Sequence, residues 1–200
     1  MTERRTFLAS GIAVLGAGLA GCAGISAGAG WITLLDGSRE SSIDGWTKLG
    51  EGNWYFFDGA LQGKNGKAGF IVSKDSYTDF EIRAEFWADD DANSGIFLRC
   101  QDRNKVGADN AYEVNIFDKR PDPSYGTGAI VNVAMVRQPM PKAANRWNTY
   151  EITARGDRMT VVLNGLQTVD GHDGRHRSGP IALQSAAGTI RFRKVEIRPI

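Results

Sequence analysis

Cysteine is almost absent from this 200-residue chain, and the two that occur, Cys22 and Cys100, stand far apart. Histidine is as scarce, with only His172 and His176, and proline appears six times. Neither sign of charge dominates, since 24 basic residues face 23 acidic ones. A near-neutral balance argues against nucleic acid as a partner, because binding a phosphate backbone needs a surplus of Lys and Arg. No apolar run reaches the about 20 strongly apolar residues that a membrane-spanning helix needs. From Trp31 onward there is also no long amphipathic helical repeat.

The N-terminus decides the compartment expected for the chain. Residues 1–22 read MTERRTFLASGIAVLGAGLAGC, a charged start followed by a short Gly- and Ala-rich apolar stretch from Phe7 to Leu19. This layout is that of an export signal. Arg4-Arg5-Thr6-Phe7-Leu8 fits a twin-arginine signal, and Leu19-Ala20-Gly21-Cys22 fits a lipobox. The expectation is cleavage before Cys22 with acylation of its thiol, leaving a lipoprotein anchored to a membrane of the cell envelope and facing the periplasm or the exterior. Residues 23–30, AGISAGAG, read as a flexible tether. Loss of the residues before Cys22 removes Arg4, Arg5 and Glu3 and leaves 22 acidic and 22 basic residues. With Cys22 lipidated, Cys100 has no disulfide partner, so residues 31–200 must be held together by their core. Some 170 residues suffice for one such core and are too few for two.

Within residues 31–200 the pattern is short period-two alternation broken by Gly, Asp and Asn. In DFEIRAEFWA, Phe80, Ile82, Ala84 and Phe86 share one face. Residues 150–155 and 158–164 alternate likewise. Asn164-Gly165 and Asp58-Gly59 predict tight hairpin turns, and a slip in IRFRKVEIR predicts a bulge near Lys194. About a dozen strands and no internal repeat indicate an all-β fold, a two-sheet antiparallel jelly-roll sandwich.

Three strands carry unexpected polarity. In NSGIFLRC, Ile96, Leu98 and Cys100 form the core face, and Gly95, Phe97 and Arg99 the other. In YEVNIFD, Glu113, Asn115 and Phe117 oppose Tyr112, Val114, Ile116 and Asp118. In PIALQ, Gln184 lies opposite the core residues Ile181 and Leu183. A guanidinium, a carboxylate, two amides and two phenyl rings are what a sugar-binding surface needs: paired donors and acceptors for hydroxyls, and rings for C–H faces. A merely solvated sheet face is the competing reading. Asp118 at the strand end reaches either the site or its own turn, and Tyr125 sits on a Pro- and Gly-rich loop placed to cover the site. Trp147 reads as core. His172 and His176, near Asp170 and Asp173, read as solvent-exposed rather than metal-binding, and Asp89-Asp90-Asp91 as an acidic turn rather than a calcium site. Cys100 reads as buried and inert.

These strands fall within a longer order of motifs. LLDG at 34–37, Gly45-Trp46, Trp54, Asp58-Gly59, Asp79-Phe80, NSGIFLR, YEVNIFD, Thr127-Gly128, Trp147-Asn148, Leu163-Asn164-Gly165, GPIALQ and Phe192-Arg193 follow one another. Together they resemble the 3-keto-disaccharide hydrolase family across essentially all of residues 31–200. The resemblance implies a concanavalin A-like jelly roll with the site on its concave sheet. It also implies glycosides oxidised at C3 as substrates. No cofactor is expected, and no metal site is assigned from the sequence. A C3 ketone acidifies the C2 proton, so one base can start elimination of the C1 substituent, and water then adds back. Glu113 is the expected base or acid and Arg99 the group facing developing enolate charge. Asn115 and Gln184 would orient hydroxyls, with Phe97, Phe117, Asp118 and Tyr125 completing the substrate-binding set. Related glucanases carry further acids on the comparable strand, whereas here Glu113, Asn115 and Phe117 leave one, against the usual two-carboxylate mechanism. Family members usually have Gln at the position of Asn115. A separate sugar 3-dehydrogenase would have to supply the ketone. The alternative function is a non-catalytic carbohydrate-binding, lectin-like module.

Overall fold

The computed structural model describes Met1 and residues 30–64 and 67–200. The export signal, Cys22 and nearly all of the tether lie outside the described residues. The described residues form thirteen strands, joined by loops and two short 3-10 turns at Glu40–Gly45 and Pro123–Tyr125. Among the described residues no helix is long and apolar enough to cross a membrane.

The strands are β1 (Ile32–Asp36), β2 (Trp46–Gly50), β3 (Trp54–Phe57), β4 (Ala60–Lys64), β5 (Gly69–Ser73), β6 (Phe80–Ala88) and β7 (Ser94–Leu98). They continue as β8 (Tyr112–Ile116), β9 (Trp147–Arg155), β10 (Arg158–Leu163), β11 (Leu166–His172), β12 (Ala182–Ser185) and β13 (Thr189–Pro199). Eight form one sheet in the order β11-β10-β9-β6-β13-β4-β3, with β1 also on β13. The other five run β2-β5-β12-β7-β8. Every strand pairing is antiparallel, as expected of a jelly-roll sandwich.

Local sequence explains the frame. Asp58 (φ 50°) with Gly59 (φ 69°), and Asn164 (φ 50°) with Gly165 (φ 82°), adopt the paired left-handed conformation of tight hairpin turns. The predicted bulge on β13 falls between Phe192 and Lys194. Phe80, Ile82, Ala84 and Phe86 of β6 enter the core against Ile71, Ile96, Leu98, Val114 and Leu183 of the smaller sheet.

A hydrogen bond from the larger sheet to the smaller crosses that core: the buried Tyr150 hydroxyl on β9 donates to the Asn115 carbonyl on β8 at 2.7 Å. Segment 128–131 then folds along the free edge of β8. Asn115 N donates to Ala129 O, Gly128 N to Asn115 O and Val131 N to Glu113 O, each at 3.0 Å. Tyr150→Phe removes one buried bond without opening a cavity and is expected to cost about 1 kcal/mol, read by urea denaturation.

Candidate active site

The outer face of the five-stranded sheet is set by register. Phe97 pairs with Glu113 and Gly95 with Asn115. Ala182 pairs with Phe97 and Leu183 with Ile96, which sets Gln184 across from Gly95. Gln184 faces Phe70 of β5 on its other side. One cross-strand row therefore reads Phe70, Gln184, Gly95, Asn115, and the next Val72, Ala182, Phe97, Glu113. The sequence reading of these three strands thus brings Glu113, Asn115 and Gln184 together.

Glu113 is the chemical centre of this face. It is 8% exposed, and among the described residues its carboxyl accepts no hydrogen bond. Burial pushes its pKa up to about 7, opposed only by the field of Arg120. Gly95 makes room for it: a Cβ there would meet Glu113 Cγ at 3.1 Å and Oε1 at 3.3 Å. Asn115 is wholly buried and donates from Nδ2 to the Tyr125 carbonyl at 2.7 Å, while its Oδ1 is buried without a partner. Gln184 Oε1 is buried and unpartnered as well. An acidic group near neutrality, flanked by unfilled amide oxygens, is equipped for proton transfer on a ligand rich in hydroxyls.

Arg99 does not join them, which corrects the expected catalytic role. Its φ of 53° ends the extended run of β7, so the alternation that placed it beside Phe97 fails there. The fully buried guanidinium instead reaches the end of the opposite sheet. Nε donates to Thr78 O at 2.8 Å, Nη1 to Gly156 O at 2.7 Å and to His176 O at 3.2 Å, and Nη2 to Asp79 Oδ1 at 3.0 Å. The same reversal moves Cys100 out of the main core. It packs with Phe97, Val72, Ala111 and Ala182, and burial raises its thiol to about 12, so it is inert as expected.

Three other expected ligand contacts are taken up by the fold. Phe97 is 1% exposed beneath the loop that carries Cys100, Val106 and Ala111, so its ring offers no stacking surface. Asp118 organises its surroundings: it accepts from Thr127 Oγ1 at 2.6 Å, Ala143 N at 2.9 Å and Ala144 N at 3.0 Å. Tyr125 packs its ring against Ala129, Val136 and Met140 and contributes only its carbonyl, to Asn115. Phe117 lies half-buried just past the end of β8. Sequence reasoning missed Gly95, Phe70 and Arg120. The alternation of GFIVS signals Phe70, which meets Phe97 edge-on at 5.3 Å.

Elsewhere, His172 is exposed beside Asp157 at 3.4 Å, whereas His176 is buried against Tyr112, contrary to the exposed position expected. Among the described residues no group of three or more His, Cys, Asp or Glu could hold a metal ion. Trp147, expected in the core, is 37% exposed on the outer face of the larger sheet. Arg193 stacks on it at 4.4 Å, and Arg191 lies between Phe57 and Trp87. A surface hollow of about 560 Å³ is on that sheet, lined by Thr153, Arg155, Asp157, Arg158, Thr160 and His172. It lies away from Glu113 and carries no buried unpaired acid.

A two-sheet sandwich with a buried acid among amides on one outer face is a carbohydrate-active, glycoside hydrolase-like architecture. The chain belongs to the family of 3-keto-alpha-glucoside-1,2-lyase-like domains, whose pattern matches residues 30–198. Among solved structures it is similar to two candidate glycosyl hydrolases from Parabacteroides distasonis. One has TM-score 0.73 and 17% identity, covering 86% of this chain and 94% of that one. The other has TM-score 0.68 and 25% identity, covering 86% and 100%. The carbohydrate-binding module CBM66 of Bacillus subtilis shares the fold at TM-score 0.58 and 23% identity, covering 76% and 93%. Among curated proteins none matches the chain.

Two outcomes follow from these environments. Arg99→Met, which strands Asp79 and three carbonyls, is expected to destabilise the fold by roughly 3–5 kcal/mol in thermal or urea unfolding. For Glu113, the folded chain between pH 4.5 and about 7 holds a proton that the unfolded chain releases. Stability from this group therefore falls as pH rises through that window. Glu113→Gln is expected to raise Tm over the parent clearly at pH 8 and little at pH 5.

Proposed function

We propose that the chain cleaves glycosides already oxidised at C3, with Glu113 as the base that removes the C2 proton. The observation that carries this reading is a buried carboxyl, near neutral in pKa and free of hydrogen-bond donors, on a face that offers amides instead of a second acid. Proton abstraction from carbon needs a strong, poorly solvated base, and a carboxylate raised to about 7 is one that is still ionised at mildly alkaline pH. The C2–H pair moves to form C2=C3 and charge on the ketone oxygen. As C3=O re-forms, C1=C2 forms and the C1–O bond breaks. The leaving oxygen takes a proton, which Glu113 now holds. Water adding across C1=C2 completes a net hydrolysis, and release before that step gives the elimination product.

The family assignment supports the sugar class, and the missing second acid speaks against ordinary glycosidase chemistry. The N-terminal sequence supports export and lipidation at Cys22, which places the domain at the envelope. A separate sugar 3-dehydrogenase would supply the substrate.

The test is incubation of the domain with 3-keto-trehalose or a 3-keto-glucoside, following release of 3-keto-glucose or its unsaturated derivative. Turnover is expected to rise with pH through an apparent pKa near 7, the point at which Glu113 ionises. Glu113→Gln is expected to lower kcat at least 1,000-fold, a loss on the order of that for removing a general base and more. Parental turnover in that variant removes Glu113 from the mechanism. Saturable binding of an unmodified oligosaccharide without any turnover supports the binding-module alternative.

A further inference from the structure

The two amides beside Gly95 are not equivalent, and the difference bears on which atoms of a ligand they read. Asn115 is locked. Its Nδ2 donates to the Tyr125 carbonyl at 2.7 Å, and turning the amide over would set Oδ1 against that same oxygen. Oδ1 is therefore a fixed acceptor, fully buried and unpartnered. Gln184 is unlocked. Its Oε1 is buried without a donor, and among the described residues its Nε2 makes no hydrogen bond. Turning that amide over costs no existing bond, so it can offer a donor or an acceptor to whatever arrives.

The register fixes their spacing. Gln184, Gly95 and Asn115 are successive in one row, so the two amides stand about 10 Å apart at their backbones, two strand spacings, with a glycine between them. The glycine, having no side chain, leaves a notch between them. A Cβ on residue 95 would intrude on this notch and press on Glu113.

We infer that this notch reads a carbonyl and a hydroxyl on neighbouring ring carbons, with Gln184 Nε2 donating to the ketone oxygen and Asn115 Oδ1 accepting from the adjacent hydroxyl. This rests on the 3-keto reading above and adds to it the groups that select an oxidised over an unoxidised sugar. It also fills the place that Arg99 leaves empty, since the Gln184 amide donates where enolate charge develops. An unoxidised sugar still binds Gln184 by its hydroxyl, through either end of the amide. The distinguishing property is thus the donor, which a ketone requires and a hydroxyl does not.

The probes are 1,5-anhydroglucitol and its 3-keto derivative, which bear no leaving group at C1, so binding is read without cleavage. Calorimetric titration at pH 8 of the wild-type domain is expected to favour the keto probe. Gln184→Glu is isosteric and accepts only when ionised, so it is titrated beside wild type at pH 9.5 as well, and there it is expected to weaken the keto probe at least tenfold while leaving the 3-hydroxy probe within threefold. Gln184→Met, which leaves no polar ligand contact to lose its partner, is expected to weaken the keto probe similarly and to retain the parental Tm. Equal weakening of both probes by Gln184→Glu, or no effect on either, overturns the assignment. If wild type cleaves 3-keto-glycosides but Gln184→Glu does not discriminate, only this inference fails. If it discriminates but Glu113→Gln leaves turnover intact, only the Glu113 mechanism fails.

Discussion

Everything at this site follows from a carboxyl that the fold buries without giving it a donor. Folded proteins normally pair a buried carboxylate with a cation or with backbone amides, because desolvation otherwise drives it to the neutral form. Glu113 has neither, and the field of Arg120 is too weak to offset the loss of water. The arrangement lowers stability at and above neutral pH, where the group ionises, and the same cost makes it a base. Gly95 sustains the burial by leaving space for the side chain.

The withdrawal of Arg99 is the other half of that condition. A guanidinium on the outer face beside Glu113 would hold its carboxyl well down as an ion pair and remove its basicity. The left-handed backbone at Arg99 sends the side chain between the sheets, where three carbonyls and Asp79 satisfy it. A residue that looks like an active-site cation is thus a tie between the ends of the sandwich, and its absence from the outer face leaves the Glu113 carboxyl near neutrality.

The parts of the fold legible in the sequence are those set by neighbours along the chain. Asp58-Gly59 and Asn164-Gly165 specify their turns locally, and the alternation of β6 and β8 assigns faces because those backbones stay extended. Alternation misplaced Arg99 and Cys100 because it presumes that the strand continues, and a non-glycine residue at positive φ leaves no mark in composition. It put Phe97 on the correct face, yet nothing local to NSGIFLRC reveals that the loop of residues 99–111 folds over it. For Asp118 the alternation left site and turn both open, because the choice depends on segments 20 or more residues away, as Ala143 and Ala144 show.

The geometry at residue 115 also explains why this sheet cannot simply be a damaged two-acid glycosidase. A carboxylate there would place one oxygen against the Tyr125 carbonyl, where Asn115 now donates, leaving two acceptors opposed in a buried space. It would also stand on the same face as Glu113, two residues along β8, and like charges so near cannot both ionise without a further rise in pKa. The loop that carries Tyr125 is built for an amide. The single carboxyl thus agrees with the amide environment around it, and the reaction proposed above, which needs one base and lets the substrate's own ketone hold the developing charge, asks for no second acid.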